Sequence, residues 1–298
     1  MNRLPVFRSV GEVFSGVTRH YFQLLFVSWP AVLVTVAAGG LIGSMYRSAG
    51  YVAAMTANNG KPDLEAMLAA QARLYSGTGG LLLLAAFLVL VLASSVAAVR
   101  WHRLVLLGEG AGSASPVRFL RAEDGRYIWT YIKVFLLLAG LVMVFGIVLA
   151  SLSVLKTRGN VSSQGPLMLI VVPVALFFYF WVLTVYMRAS LALPDAAVGM
   201  GGRVGAVFKA SSGNGVRLVG YVLLIALALM VVTGVAMFGL GVVAAVLAKF
   251  DARISLAIGL IAYVGLYMYF LMIGITMLSV AYREIVGLPD AEPDLAAL

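Results

Sequence analysis

The 298-residue chain contains no cysteine, two histidines and only twelve acidic residues. Without cysteine it forms no disulfide, no thiolate metal site and no thiol nucleophile. It has no H-E-x-x-H, no G-x-x-x-x-G-K-[ST] and no G-x-S-x-G, the spacings that place a metal, a phosphate or a serine nucleophile. Acidic residues are missing where buried proton chemistry would need them, since no Asp or Glu lies in any long apolar stretch. These absences predict a non-enzymatic protein that carries no cofactor and no metal.

What the chain has instead is apolar length. It is 62% hydrophobic and 11% charged, with mean hydropathy +1.03, against roughly 25% charged residues in a soluble domain. Six stretches carry no Lys, Arg, Asp or Glu: 20–46, 74–99, 134–155, 159–187, 218–248 and 254–282. A membrane core of roughly 30 Å needs about 20 such residues in a helix, whose backbone satisfies its own hydrogen bonds. The pattern predicts an all-α polytopic membrane protein, a single domain over 1–298 with spans at about 20–46, 76–99, 127–155, 166–187, 218–248 and 254–282. The first 19 residues carry Arg3, Arg8, Glu12 and Arg19 and lack the apolar run of a cleavable signal peptide.

The net charge is +9, and it is unevenly placed. Fourteen of 21 Lys and Arg residues fall in the N-terminal segment, the 100–133 and 188–217 connections and the C-terminal end. The other seven (Arg47, Lys61, Arg73, Lys156, Arg158, Lys249 and Arg253) fall in the alternate connections. The positive-inside rule then places both termini in the cytoplasm. A basic face beside anionic headgroups accounts for the charge, so anionic membrane lipids, with a membrane protein as a further partner, are expected and nucleic acid is not.

The chain also echoes itself. Arg188 to Asp195 and Arg283 to Asp290 both read R-x4-L-P-D, 95 residues apart, and Arg103 to Glu109 is a degenerate version with Gly108 for proline. Val10-Gly-Glu-Val13-Phe14 matches Val204-Gly-Ala-Val207-Phe208, and an arginine (Arg19, Arg126, Arg217) opens each odd span. Either the chain is three copies of an interfacial segment plus a hairpin, or boundary chemistry repeats itself. In such a unit the arginine reaches headgroup level, its helix runs on for about one turn, and Pro194 and Pro289 end it.

Val6, Phe7, Val10, Val13, Phe14 and Val17 form one stripe of a helix over 5–19, read as lying in the interface with that stripe on the bilayer, the alternative being a core-packed helix. A short helix is expected over 62–75, folded across the outer mouth. Arg19, Arg100, Arg103, Arg126, Lys133, Arg188, Arg217 and Arg283 are candidate lipid-phosphate or boundary residues; Pro194, Asp195, Pro289 and Asp290 form the helix-break motif. Lys133 either snorkels beside Tyr127, Trp129 and Tyr131 or binds a phosphate. His102, with no second ligand in sequence, reads as a boundary residue before it reads as an acid–base group. Pro30 and Pro173 are expected to kink their spans.

Arg188-Ala-Ser-Leu-Ala-Leu-Pro, followed by Val207-Phe208-Lys-Ala-Ser-Ser-Gly213-Asn214-Gly-Val-Arg217-Leu, resembles bacterial membrane families that include the YciC-like proteins and the membrane domain attached to some glycerophosphodiester phosphodiesterases. The resemblance implies a bacterial inner-membrane protein with interfacial helices between hairpins, and no activity. Two functions follow as expectations. The first is a protein that organises lipid or a membrane partner through a basic amphipathic cytoplasmic face. The second is a transporter or lipid-handling permease with a path between the hairpins, which a continuous polar path through Thr184, Ser94, Ser95 or Lys133 would favour.

Overall fold

A computed structural model describes residues 3–55, 63–109, 121–158 and 164–288. Every regular element among them is α-helical: α1 Val6–Val27, α2 Trp29–Ser48, α3 Tyr51–Met55, α4 Leu64–Tyr75, α5 Gly77–Leu107, α6 Ala122–Arg158, α7 Gln164–Ser190, α8 Ala192–Ala197, α9 Val204–Ala210, α10 Gly215–Ala248 and α11 Ala252–Ile285. Six helical segments are long and apolar enough to cross a bilayer: Trp29–Ser48, Gly77–Leu107, Ala122–Val148, Val172–Ala197, Gly215–Ala248 and Ile261–Ile285. The protein is an all-α polytopic membrane protein. Its mid-span surface is built from residues such as Phe135, Leu136, Phe177, Phe238 and Ile261, all outward-facing, as lipid rather than water requires.

The first span is not one helix. α1 bends at His20 (φ −107°, ψ 17°) and stops at Val27, and α2 begins after Ser28 (φ −122°, ψ 16°). Proline explains the stop: Pro30 has no N–H to continue the ladder and sits in the first turn of α2, where none is needed. The carbonyl of Leu24 is left over at this break, and it accepts hydrogen bonds from the Ser28 hydroxyl (3.0 Å) and the Trp101 indole N–H (2.7 Å) of α5. A backbone group in hydrocarbon must find a partner, and here the partner locks α5 onto α1. Pro173, by contrast, lies inside α7 without ending it.

The apolar stripe of α1 points inward, which corrects its expected bilayer-facing direction. Val13 and Val17 are fully buried, and Val6, Val10 and Phe14 pack against the same core; Phe7 alone of the six is exposed. The reason is that the leading turns of α1 have a partner after all, since α11 and α10 return to pack on them. α4 starts where expected, with Asp63 accepting the Ala66 N–H at 3.1 Å. It turns Ala70 and Leu74 inward while Leu64, Leu68 and Tyr75 stay exposed, so its apolar residues do not share one face.

Packing runs around a closed circuit. α2 pairs with α5, α6 with α7, and α10 with α11, giving three hairpins. The returning helix of each touches the leading helix of the next: α5 meets α6, α7 meets α10, and α11 closes back on α1. α5 and α11 also pack together across the middle. The large buried side chains, Trp101, Tyr221, Met272 and Tyr282 among them, belong mostly to these helices near the end where the chain's basic connections gather.

Candidate functional site

At that basic end, each hairpin's returning helix ends in an arginine expected to meet a lipid phosphate or to mark the membrane boundary. The structure sends these arginines inward. Arg283 bonds Glu12 at 2.5 Å and Glu284 at 3.3 Å. Arg188 donates to the Phe208 carbonyl (2.5 Å) and the Ser211 hydroxyl (3.2 Å), with its guanidinium 3.7 Å over the Phe208 ring. Arg103 holds both Glu109 carboxylate oxygens with two of its nitrogens, the Nε at 2.8 Å, and its Nη1 donates to the Ala197 carbonyl at 3.0 Å. Arg100 is buried. Arg103 is held bidentately, and Arg188 and Arg283 are engaged by inward partners. A guanidinium so engaged is a poorer phosphate ligand than a free one, which favours the boundary reading of these three over the lipid-phosphate reading.

The partners follow a pattern. Arg188 grips the helix that carries Val204-Gly-Ala-Val207-Phe208, and Arg283 grips the helix that carries Val10-Gly-Glu-Val13-Phe14. Val13 and Val207 are both buried. Ten residues after the first valine of each motif the chain breaks, at His20 (φ −107°, ψ 17°) and at Asn214 (φ −100°, ψ 3°). Arg188 and Arg283 therefore each clasp the next such segment in the circuit, the second joining residue 283 to residue 12, while Arg103 reaches instead to Glu109 and the Ala197 carbonyl.

The proline motif works differently from expectation. α7 ends at Ser190, two residues after Arg188, and Pro194 lies within the short α8 rather than at its end. Asp195 is the residue that matters. It is buried, its Oδ2 accepts the N–H groups of Gly202 (2.9 Å) and Arg203 (3.3 Å), and its Oδ1 accepts the Tyr282 hydroxyl at 2.8 Å. One carboxylate thus fixes the 199–203 turn and ties it to α11. That turn needs glycine: Gly202 has φ +60°, and a Cβ there would lie 2.2 Å from the Thr130 hydroxyl oxygen. Gly108, which replaces proline after Arg103, ends α5 in a left-handed cap (φ +64°). Pro289 and Asp290 lie outside the described residues.

His102 is not a boundary residue. It is fully buried, with Nδ1 2.7 Å from the Ser279 hydroxyl and Nε2 3.5 Å from the Tyr127 hydroxyl. These side chains come from α5, α11 and α6, one from each hairpin. Interhelical polar contacts of this kind hold membrane helices together where lipid offers no hydrophobic contrast. No group of three or more Asp, Glu or His suited to a metal exists among the described residues.

What remains outward is a distinct set of cations. Arg3, Arg8, Arg19, Arg126, Lys133, Arg203, Lys209 and Arg217 are exposed at the basic end. Arg217 makes one long bond to the Leu4 carbonyl (3.4 Å), Arg126 a loose pair with Glu123 (3.4 Å), and Lys133 sits 5.6 Å over the Trp129 ring. Every described carboxylate at this end is buried or half-buried: Glu12, Glu109, Glu123, Asp124, Asp195 and Glu284. The described acids and four of the arginines face in, and the exposed charge at this end is all basic. Sequence reasoning singled out the inward Arg100, Arg103, Arg188 and Arg283 but not the outward Arg203 and Lys209, and it missed the roles of Glu12, Trp101, Ser279 and Tyr282. Glu12 carried a signal, being the charged occupant of the variable position in V-G-x-V-F.

Comparison with protein-family models, curated proteins and solved structures finds no match to this chain.

Proposed function

We propose that the protein is a non-enzymatic organiser of the bacterial plasma membrane, holding anionic lipids or an acidic membrane partner against its cytoplasmic basic end. The observation that carries this reading is the segregation of charge just described, with eight exposed cations and no exposed carboxylate among the described residues of that end. A lysine or arginine near an anionic leaflet contributes about 1 kcal/mol, so this face favours phosphatidylglycerol-type lipids strongly while the inward arginines keep its shape. The two matching clasps and the two matching breaks support an origin by repetition of one interfacial-helix-plus-hairpin unit, triplicated in the chain as a whole.

The experiment has two readouts. Cysteines introduced singly at Leu64 and Met200 of this cysteine-free chain, both exposed, should label in intact cells with an impermeant reagent at 64 and not at 200. Lipids that co-purify with the protein should be at least twofold enriched in anionic classes over the membrane they came from. Labelling at 200 alone reverses the topology, and an unenriched lipid profile removes the anionic-lipid role.

One observation favours the permease reading: a cavity between the hairpins reaches Ser94 and Ser95. Thr184 and Lys133 are not part of it. Lipid flux in reconstituted vesicles separates the two readings, and no flux above protein-free vesicles is expected.

A further inference from the structure

The cavity that reaches Ser94 and Ser95, separate from the basic surface, opens among the spans. It measures about 310 Å³ and lies between α2, α5, α6 and α11, where α6 and α11 both lean on α5 rather than closely on each other. That size is at the lower end for a bound small molecule. Its polar lining consists of six hydroxyls, from Thr35, Ser94, Ser95, Tyr127, Tyr131 and Tyr267, and no Lys, Arg, Asp or Glu lines it. Phe87, Tyr131 and Tyr267 are exposed, so the mouth faces lipid.

We infer that this cavity is a binding site for a neutral lipid alcohol, an uncharged two-chain lipid of the diacylglycerol class, entering sideways from the bilayer. Three features select that chemistry. A charged headgroup would lose its water here and find no counter-ion, a cost of several kcal/mol, so the head is neutral. The deep hydroxyls of Thr35 and Ser95 already donate to the carbonyls of Ala31 (2.8 Å) and Val91 (2.8 Å), which leaves their oxygens as acceptors. A deep occupant must therefore bring its own donor, an alcohol O–H. The hydroxyls of Tyr131 and Tyr267 make no hydrogen bond to another described residue and stand at the rim as donors, suited to ester carbonyls.

The depth agrees. Tyr127 and Tyr131 lie on α6 between the exposed Arg126 and Lys133, so the hydroxyl belt lies at or just below headgroup level, where the glycerol and esters of a membrane lipid reside. Phe87, Leu90 and Leu271 continue the wall toward mid-span for the acyl chains. The floor is sealed by Trp101 and by Tyr127, which contacts His102.

The test uses the full-length protein in detergent micelles and a photoreactive dioleoylglycerol probe with its reactive group on an acyl chain. Labelling should concentrate in peptides containing residues 87–98, 127–131 and 267–275. Tenfold excess dioleoylglycerol should abolish it. The same excess of its O-acetyl ester, which lacks the donor, or of dioleoyl phosphatidylglycerol, which is charged, should reduce it less than twofold. Ser95→Ala, which removes the deep acceptor, should weaken labelling about fivefold, and Ser94→Phe should fill the cavity and remove it. Should Ser94→Phe fail to fold, Ser95→Ala still decides. Labelling spread evenly over the exposed helices, equal competition by all three lipids, or no effect of Ser95→Ala overturns the inference.

Discussion

Replacing Glu12 with Arg is expected to lower the unfolding free energy in detergent by about 3 kcal/mol, and adding Arg283→Glu should restore most of it. The two side chains are 20% and 18% exposed, buried enough that an orphaned or like-charged partner costs far more than a surface pair would. The bond spans nearly the whole chain, joining the first helix to the last and closing the circuit of hairpins. Chemical or thermal unfolding of the two single variants and the double variant gives the coupling directly. A coupling below about 0.5 kcal/mol, or a double variant no more stable than the sum of the singles, would mean that the circuit closes by apolar packing alone.

Asp195→Ala is expected to cost a similar amount, about 3 kcal/mol. Three donors lose their acceptor at once: the Gly202 and Arg203 N–H groups and the Tyr282 hydroxyl. Each buried donor left without a partner costs roughly 1–3 kcal/mol, part of which water recovers at the open side of the turn. Asp195→Asn should rescue only partly, because its amide nitrogen turns a donor toward another donor. Tyr282→Phe removes one of the three bonds and should cost about 1 kcal/mol. Protease sensitivity of the 199–203 turn should rise in the order Tyr282→Phe, Asp195→Asn, Asp195→Ala. An Asp195→Ala protein as stable and as resistant as the parent would refute the role of this carboxylate.

The number of spans was legible in the sequence because lipid leaves charge little place within them, but their limits were not. The first apolar segment begins at Trp29 rather than at 20, and the helices of the others run on past charged residues such as Arg103, Lys133 and Asp195. The hairpin order followed from the same pattern. The break at Ser28 was half legible, since Pro30 was visible but its position in the first turn of α2, rather than mid-span, depends on Trp101 arriving to satisfy Leu24. The direction of the α1 stripe was not legible. An apolar stripe looks the same whether it meets lipid or other helices, and only the return of α10 and α11 decides which. Arg103, Arg188 and Arg283 were legible as lipid-phosphate or boundary residues but their partners in the bundle were not, because a phosphate, a carboxylate and a backbone carbonyl all accept from a guanidinium. Glu12 and Arg283 are 271 residues apart, and no local pattern encodes such a pairing. His102 failed for the same reason: its neighbours Ser279 and Tyr127 come from two other hairpins.

The division of the basic residues into an inward set that holds the bundle and an outward set that reads lipid is tested most directly by native mass spectrometry of protein released from mixed-lipid nanodiscs, following retained lipid and gas-phase unfolding threshold together. With Arg8, Arg19, Lys209 and Arg217 all changed to Gln, the retained anionic lipid should fall severalfold while the unfolding threshold stays at the parent value. With Arg283→Gln, the threshold should fall while the retained anionic lipid per folded molecule stays unchanged. The opposite pattern, with Arg283→Gln shedding anionic lipid at an unaltered threshold and the fourfold variant keeping it, would contradict the account.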